Sequence, residues 1–234
     1  MQDATSRVER TLPGRASGWV LCLVAVLGLQ AALAQAPSNP NLNAQLLVAA
    51  RQGDLPAVKA ALARGAEPSS RNGLGKTALV MALEKGQDEL ALTMLEAGTD
   101  VNLATVERVT PLMTASYVGS AALVQRLLAK GARWDPVDRM GKPAALYAAG
   151  QGQREVLRVL LDAGAPVNAA YENQLTALMW AAGLGHLDAT RLLLARGADR
   201  SVRDDRGLTA RDIALQAGHT ELANLLTQPS GESK

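Results

Sequence analysis

Glycine returns every 33 residues through most of this chain, at Gly65, Gly98, Gly131, Gly164 and Gly197. A second series, Gly53, Gly86, Gly119, Gly152, Gly185 and Gly218, keeps the same step, as do Ala49, Ala82, Ala115, Ala148, Ala181 and Ala214. Three series in one register exclude a single irregular core, because a fixed period of this length marks stacked copies of one small unit. Counting the atypical ends, the register holds six units.

The pattern inside a unit explains the period. Residues 176–182, Thr-Ala-Leu-Met-Trp-Ala-Ala, predict a short helix that Gly185 breaks, and residues 188–195 predict a second helix ended by Gly197. Gly197 suits a left-handed position just past a helix, where a Cβ would be strained. The polar stretch 199–207 predicts a projecting, hairpin-like loop. Aromatic residues make up only 3%, with no Phe, which argues against a sandwich or barrel and against stacking platforms for bases. Lys+Arg at 24 against Asp+Glu at 22 leaves too little net charge for long-range capture of nucleic acid. The expected fold class is all-α, a solenoid of helix-turn-helix units.

Five segments share a motif: Gly75-Lys-Thr-Ala-Leu-Val-Met-Ala82, Thr110-Pro-Leu-Met-Thr-Ala115, Gly141-Lys-Pro-Ala-Ala-Leu-Tyr-Ala148, Leu175-Thr-Ala-Leu-Met-Trp-Ala181 and Gly207-Leu-Thr-Ala-Arg-Asp-Ile-Ala214. Tails at Leu127-Leu-Ala-Lys-Gly-Ala132, Leu160-Leu-Asp-Ala-Gly-Ala165 and Leu193-Leu-Ala-Arg-Gly-Ala198 complete it. Over roughly residues 41 to 227 the chain resembles the ankyrin-repeat family. The resemblance implies interior leucines, Leu95, Leu128, Leu161 and Leu194 among them, that act as scaffold, and a concave surface lined by loop tips and first helices. Departures stand out. Val80, Met113, Leu146, Met179 and Asp212 replace the family's histidine, so apolar packing is expected where that family has a polar network. Pro143 replaces a threonine, and Arg108 and Gln174 replace turn glycines, so individual tips should deviate while the stack survives.

Residues 1–34 read as a secretory signal peptide. Arg7, Arg10 and Arg15 precede an 11-residue apolar run, residues 19–29, which is followed by Ala-Ala-Leu-Ala-Gln-Ala. The run is shorter than the roughly 20 residues of a membrane span, although extension to Ala34 keeps an uncleaved anchor as the alternative. The bacterial periplasm is the expected compartment, with an inner-membrane anchor facing the periplasm or full secretion as alternatives. Cys22, the single cysteine, would leave with the signal, and no intrachain disulfide can form. Residues 35–41 read as a linker and 42–227 as the repeat domain, with units near 42–71, 72–104, 105–137, 138–170, 171–203 and 204–227. The first unit lacks the Thr-Pro-Leu signature and is expected to cap the stack, and 228–234 read as a disordered tail.

The function expected is non-catalytic binding of one protein partner by a monomer that uses no cofactor or metal. Neither nucleic acid nor membrane is an expected partner, apart from the N-terminal segment if uncleaved. Candidate contacts at the tips are Leu74, Lys76, Glu107, Val109, Arg139, Met140, Lys142, Tyr171, Glu172 and Asn173. At the first-helix ends they are Lys85, Tyr117, Val118, Gln151 and Leu184. Aromatic and long apolar side chains flanked by charge are the usual make-up of a binding patch, and Tyr117 and Tyr171 are placed in the most open slots. Val109 could instead pack between tips. Tyr147 and Trp180 fall in an inward slot and read as core, while Trp134 could brace two hairpins or mark a side site. Within this reading, similar exported proteins look like helpers of envelope enzymes; a secreted effector or toxin-neutralising protein is the alternative.

Nothing in the sequence offers a reaction. The two histidines, His186 and His219, lie 33 residues apart, each directly after a repeat glycine, and read as helix-start elements. Gly73-Leu-Gly75-Lys76-Thr77 has the wrong glycine spacing for a phosphate loop. Asp204-Asp205 lacks the alternating ligands of a calcium loop.

Overall fold

The computed structural model describes residues 39–227, which form twelve α-helices in six consecutive pairs. In chain order these are α1 Pro40–Gln52 with α2 Leu55–Ala63, α3 Ala78–Glu84 with α4 Asp88–Glu96, and α5 Pro111–Val118 with α6 Ala121–Ala129. The last three pairs are α7 Ala144–Gly150 with α8 Arg154–Asp162, α9 Ala177–Gly183 with α10 Leu187–Ala195, and α11 Ala210–Gln216 with α12 Thr220–Leu225. First helices pack on first helices from one pair to the next, and second helices from α2 to α10 do the same. The expected solenoid is therefore present. The signal peptide and the tail lie outside the described residues, while the expected linker ends early: Asn39 caps α1 and Pro40 occupies its first turn.

Burial follows the register. Met94, Leu127, Leu160 and Leu193 form a column of fully buried side chains, each one period apart. Burying such a side chain contributes about 1.5–3 kcal/mol, and a unit of two short helices has nowhere to bury it except against its neighbours. Val80, Met113, Leu146 and Met179 are also buried, so apolar packing does occupy the slot expected to lose its polar network.

Four of the six first helices open on a threonine. Thr77, Thr110, Thr176 and Thr209 accept from the N–H three residues on, at 3.2 to 3.3 Å. Such caps are worth about 1 kcal/mol each. Asp212 completes the last one by accepting from the Thr209 N–H at 3.0 Å and its hydroxyl at 2.8 Å. These contacts, the backbone N–H first, hold the Asp212 carboxyl below its ordinary pKa. Pro143 takes the same extended backbone without any side-chain cap.

Two devices tie one repeat to the next. Asn102 donates to the Gly131 carbonyl at 3.0 Å and accepts from the Arg133 N–H at 2.9 Å. Asn168 repeats this clamp on Gly197 and Asp199. Between them the corresponding residue is Asp135, and the amide it would hold belongs to Pro166, which has no N–H to give; Asp135 pairs with Arg133 instead.

The second device adds to the role expected of the histidines. His186 and His219 stand at helix starts but make no capping bond. The His186 ring reaches back one repeat, where Nε2 lies 2.9 Å from the Gly150 carbonyl and a Cβ on Gly152 would fall 2.6 Å from Nδ1. The His219 ring covers Gly185, where a Cβ would fall 2.7 Å from Cε1, and Gln87 and Gln153 cover Gly53 and Gly119. The second glycine series therefore serves partly as a row of seats for side chains of the following unit.

Candidate protein-binding face

The tips are built around one acceptor per repeat. Asn72, Asp138 and Asp204 each place Oδ1 within 3.0 Å of two turn N–H groups, and Thr105 accepts from Val109 N–H at 3.2 Å. Burial opposes charge on Asp204, but the Leu208 and Arg206 N–H groups and the Arg206 guanidinium outweigh it and hold the carboxyl below its ordinary pKa. Tyr171 falls in this slot and has no such acceptor, so its tip takes another form. Glu172–Gln174 forms a short 3₁₀ turn with Asn173 and Gln174 both left-handed, at φ 60° and 58°. Arg108 likewise keeps the left-handed geometry of the glycine it replaces, at φ 62°. The deviation expected at these tips is thus real at Tyr171 and absent from the turn backbone at Arg108. Neighbouring tips are joined by Val106 N–H to Leu74 O, Arg139 N–H to Glu107 O and Asp205 N–H to Asn173 O, at 3.1 to 3.2 Å.

The candidate residues separate on this frame. Leu74, Met140, Tyr117, Leu184 and Val118 are exposed, at 58, 60, 52, 50 and 38%. Lys85, Glu107, Arg139, Gln151, Glu172 and Asn173 are exposed as well. Lys85 donates to the Arg51 carbonyl, and Glu107 lies 3.6 Å from Arg139. Lys76 is half-buried and paired with Glu84 at 2.7 Å. Val109 is half-buried: it packs against the core and also lines a cleft. Tyr171 is a correction: it is half-buried against the core, because the slot it occupies is the inward turn position, and burial raises its pKa.

Tyr147 and Trp180 do pack against the core as expected, yet their rings also line the two clefts of the first-helix face. Glu84, Val109, Met113, Thr114, Tyr117, Val118 and Tyr147 enclose a cleft of about 290 Å³. Tyr117 and Tyr147 meet edge to face with centroids 6.2 Å apart, and the Tyr147 hydroxyl donates to Asp138 Oδ2 at 2.7 Å. Burial first, then this carboxylate, pushes the Tyr147 phenol far up. One period along, Met140, Lys142, Leu146, Tyr171, Leu175 and Trp180 line a second cleft of about 220 Å³, where Lys142 Nζ sits 4.7 Å from the Trp180 ring centroid. Trp134 is half-buried against the core, away from both clefts. The step from Asn72 through Thr105 and Asp138 to Asp204 could have revealed the turn acceptors, and Tyr171 as the exception.

The family described as Ankyrin repeats (3 copies) matches residues 46–138, 92–171 and 145–234. The chain belongs to the ankyrin-repeat family. An ankyrin-repeat protein of Treponema pallidum is 33% identical over 54% of this chain and 43% of its own length. The ankyrin repeat protein YahD of Escherichia coli is 28% identical over 59% of this chain and 68% of its own. A transient receptor potential channel homolog of Caenorhabditis elegans is 29% identical over 51% of this chain, which spans only 10% of that protein. Ankyrin repeats are non-catalytic scaffolds for protein interaction. Among the described residues, no group of three or more His, Cys, Asp or Glu could hold a metal ion, and no helix is long and apolar enough to cross a membrane.

Proposed function

We propose that this ankyrin-repeat protein is an exported adaptor that docks one protein partner on its first-helix and tip surface. The observation that carries this reading is the Tyr117–Tyr147 cleft, an apolar, aromatic recess lined also by exposed Val118. Rigid aromatic rings supply contact area at small entropic cost, and a standard interface covers about 800 Å² per partner, a span that four neighbouring repeats can offer. Export to the bacterial periplasm, and there assistance to an envelope enzyme or a stress response, is supported by the order of charge, short apolar run and small residues before residue 37. The alternative is a secreted effector or toxin-neutralising protein.

Cross-linking in intact cells, with Tyr117→Ala together with Leu184→Ala as the control, tests the docking face. The double variant loses the captured protein while keeping its melting temperature within a few degrees, as expected for surface substitutions; an unchanged capture pattern refutes the face. Fractionation tests the compartment: retention in the periplasm supports the adaptor, and appearance in the medium supports the effector.

A further inference from the structure

The two clefts differ in chemistry, and the difference selects a ligand. At about 290 and 220 Å³ each falls below the size of ordinary small-molecule sites and suits one or two side chains. The first cleft is apolar, and its one anion, Glu84, is already paired with Lys76. In the second, Lys142 is half-buried over the Trp180 indole with no carboxylate partner. A cation–π contact fixes where that ammonium sits, but leaves its positive charge without an anionic counterpart. Glu172 lines the same cleft without pairing to it. The clefts are one repeat apart, which for stacked helices is about 10 Å. A segment in the polyproline II conformation rises about 3.1 Å per residue with three residues per turn, so side chains three residues apart share one face and span about 9 Å.

We propose that the face selects a segment of its partner in the polyproline II conformation that carries a large apolar side chain, received in the cleft lined by Val109, Met113, Tyr117 and Tyr147, and a carboxylate three residues away, received by Lys142. This rests on the docking reading above and narrows it to a partner chemistry. The Tyr147–Asp138 hydrogen bond and the edge-to-face tyrosine pair fix the two rings that line the first cleft before anything binds, which lowers the ordering cost of association.

The test is selection of random twelve-residue peptides displayed on phage against the purified full chain, followed by anisotropy titration of fluorescent copies of the enriched peptides. Enrichment of a large apolar residue three positions from Asp or Glu is expected. Lys142→Glu should weaken those peptides about tenfold and, in a fresh selection, shift the preference from acid to Lys or Arg. Lys142→Met separates charge from packing: it should weaken binding without reversing the preference. Peptides that lose binding in Tyr117→Ala but show no acidic preference overturn the proposal and leave the docking face standing. Peptides indifferent to Tyr117→Ala, or no enrichment at all, overturn both. Far-ultraviolet circular dichroism of every variant confirms that the fold is retained.

Discussion

Gly152→Ala measures what the histidine seat contributes. Gly152 has φ 67°, a left-handed conformation that costs an alanine about 1–2 kcal/mol. The new Cβ would lie 2.6 Å from His186 Nδ1 and 2.8 Å from Cγ. These are ring atoms close to the backbone rather than the end of a flexible chain, so the imidazole has to swing away and its 2.9 Å contact with the Gly150 carbonyl is lost. That contact is worth about 1 kcal/mol, which brings the total to about 2–3 kcal/mol. Gly164→Ala is the matched control, because Gly164 has φ 96° but nothing within 4 Å of a Cβ, so only the backbone term applies. Urea unfolding followed by circular dichroism should separate the two by about 1 kcal/mol, or about 2–4 °C in Tm. In a His186→Ala background the obstruction is gone, and Gly152→Ala should then cost what Gly164→Ala costs. Equal losses for the two substitutions in the wild-type chain refute the seat.

Thr176→Ala removes the cap of α9 and should cost about 1 kcal/mol in urea unfolding, against almost nothing for a solvent-facing control such as Glu172→Ala. Tyr147→Phe strips one donor from buried Asp138 and should lower stability by about 1–2 kcal/mol without altering the helical spectrum. Arg108→Gly and Gln174→Gly relieve left-handed strain and should each raise Tm by a degree or two. The folded pKa values of Asp204 and Asp212 lie below their unfolded ones, so the stability they lend is complete above about pH 4 and is lost as the pH falls through the folded values. Acid titration of thermal stability should therefore show a smaller loss in Asp212→Asn, whose starting stability is lower, than in the wild type.

The period and the glycines made the stack legible before any coordinates, because positive-φ glycines and buried leucines recur wherever a helix pair must turn and pack. What the period hides is direction. His186 looks local in sequence, directly after Gly185 and before a helix, and only the packing reveals that it reaches back to Gly150 and Gly152. Tyr171 misleads for a related reason: a tyrosine in a polar loop reads as exposed, whereas its slot in the register is one whose occupants Thr105, Asp138 and Asp204 are buried. The candidate face was legible at Tyr117, Val118, Leu74 and Met140. It was incomplete at Tyr147 and Trp180, whose slot faces the core on one side and a cleft on the other.

The seats also give the column a polarity. Gln87, Gln153, His186 and His219 each rest on a glycine of the unit made before their own. A chain emerging from its ribosome thus completes every landing surface before the side chain that latches onto it arrives. Shortening such a protein from its far end removes latches and leaves earlier ones closed, whereas loss of the leading layers leaves a latch with nothing to grip.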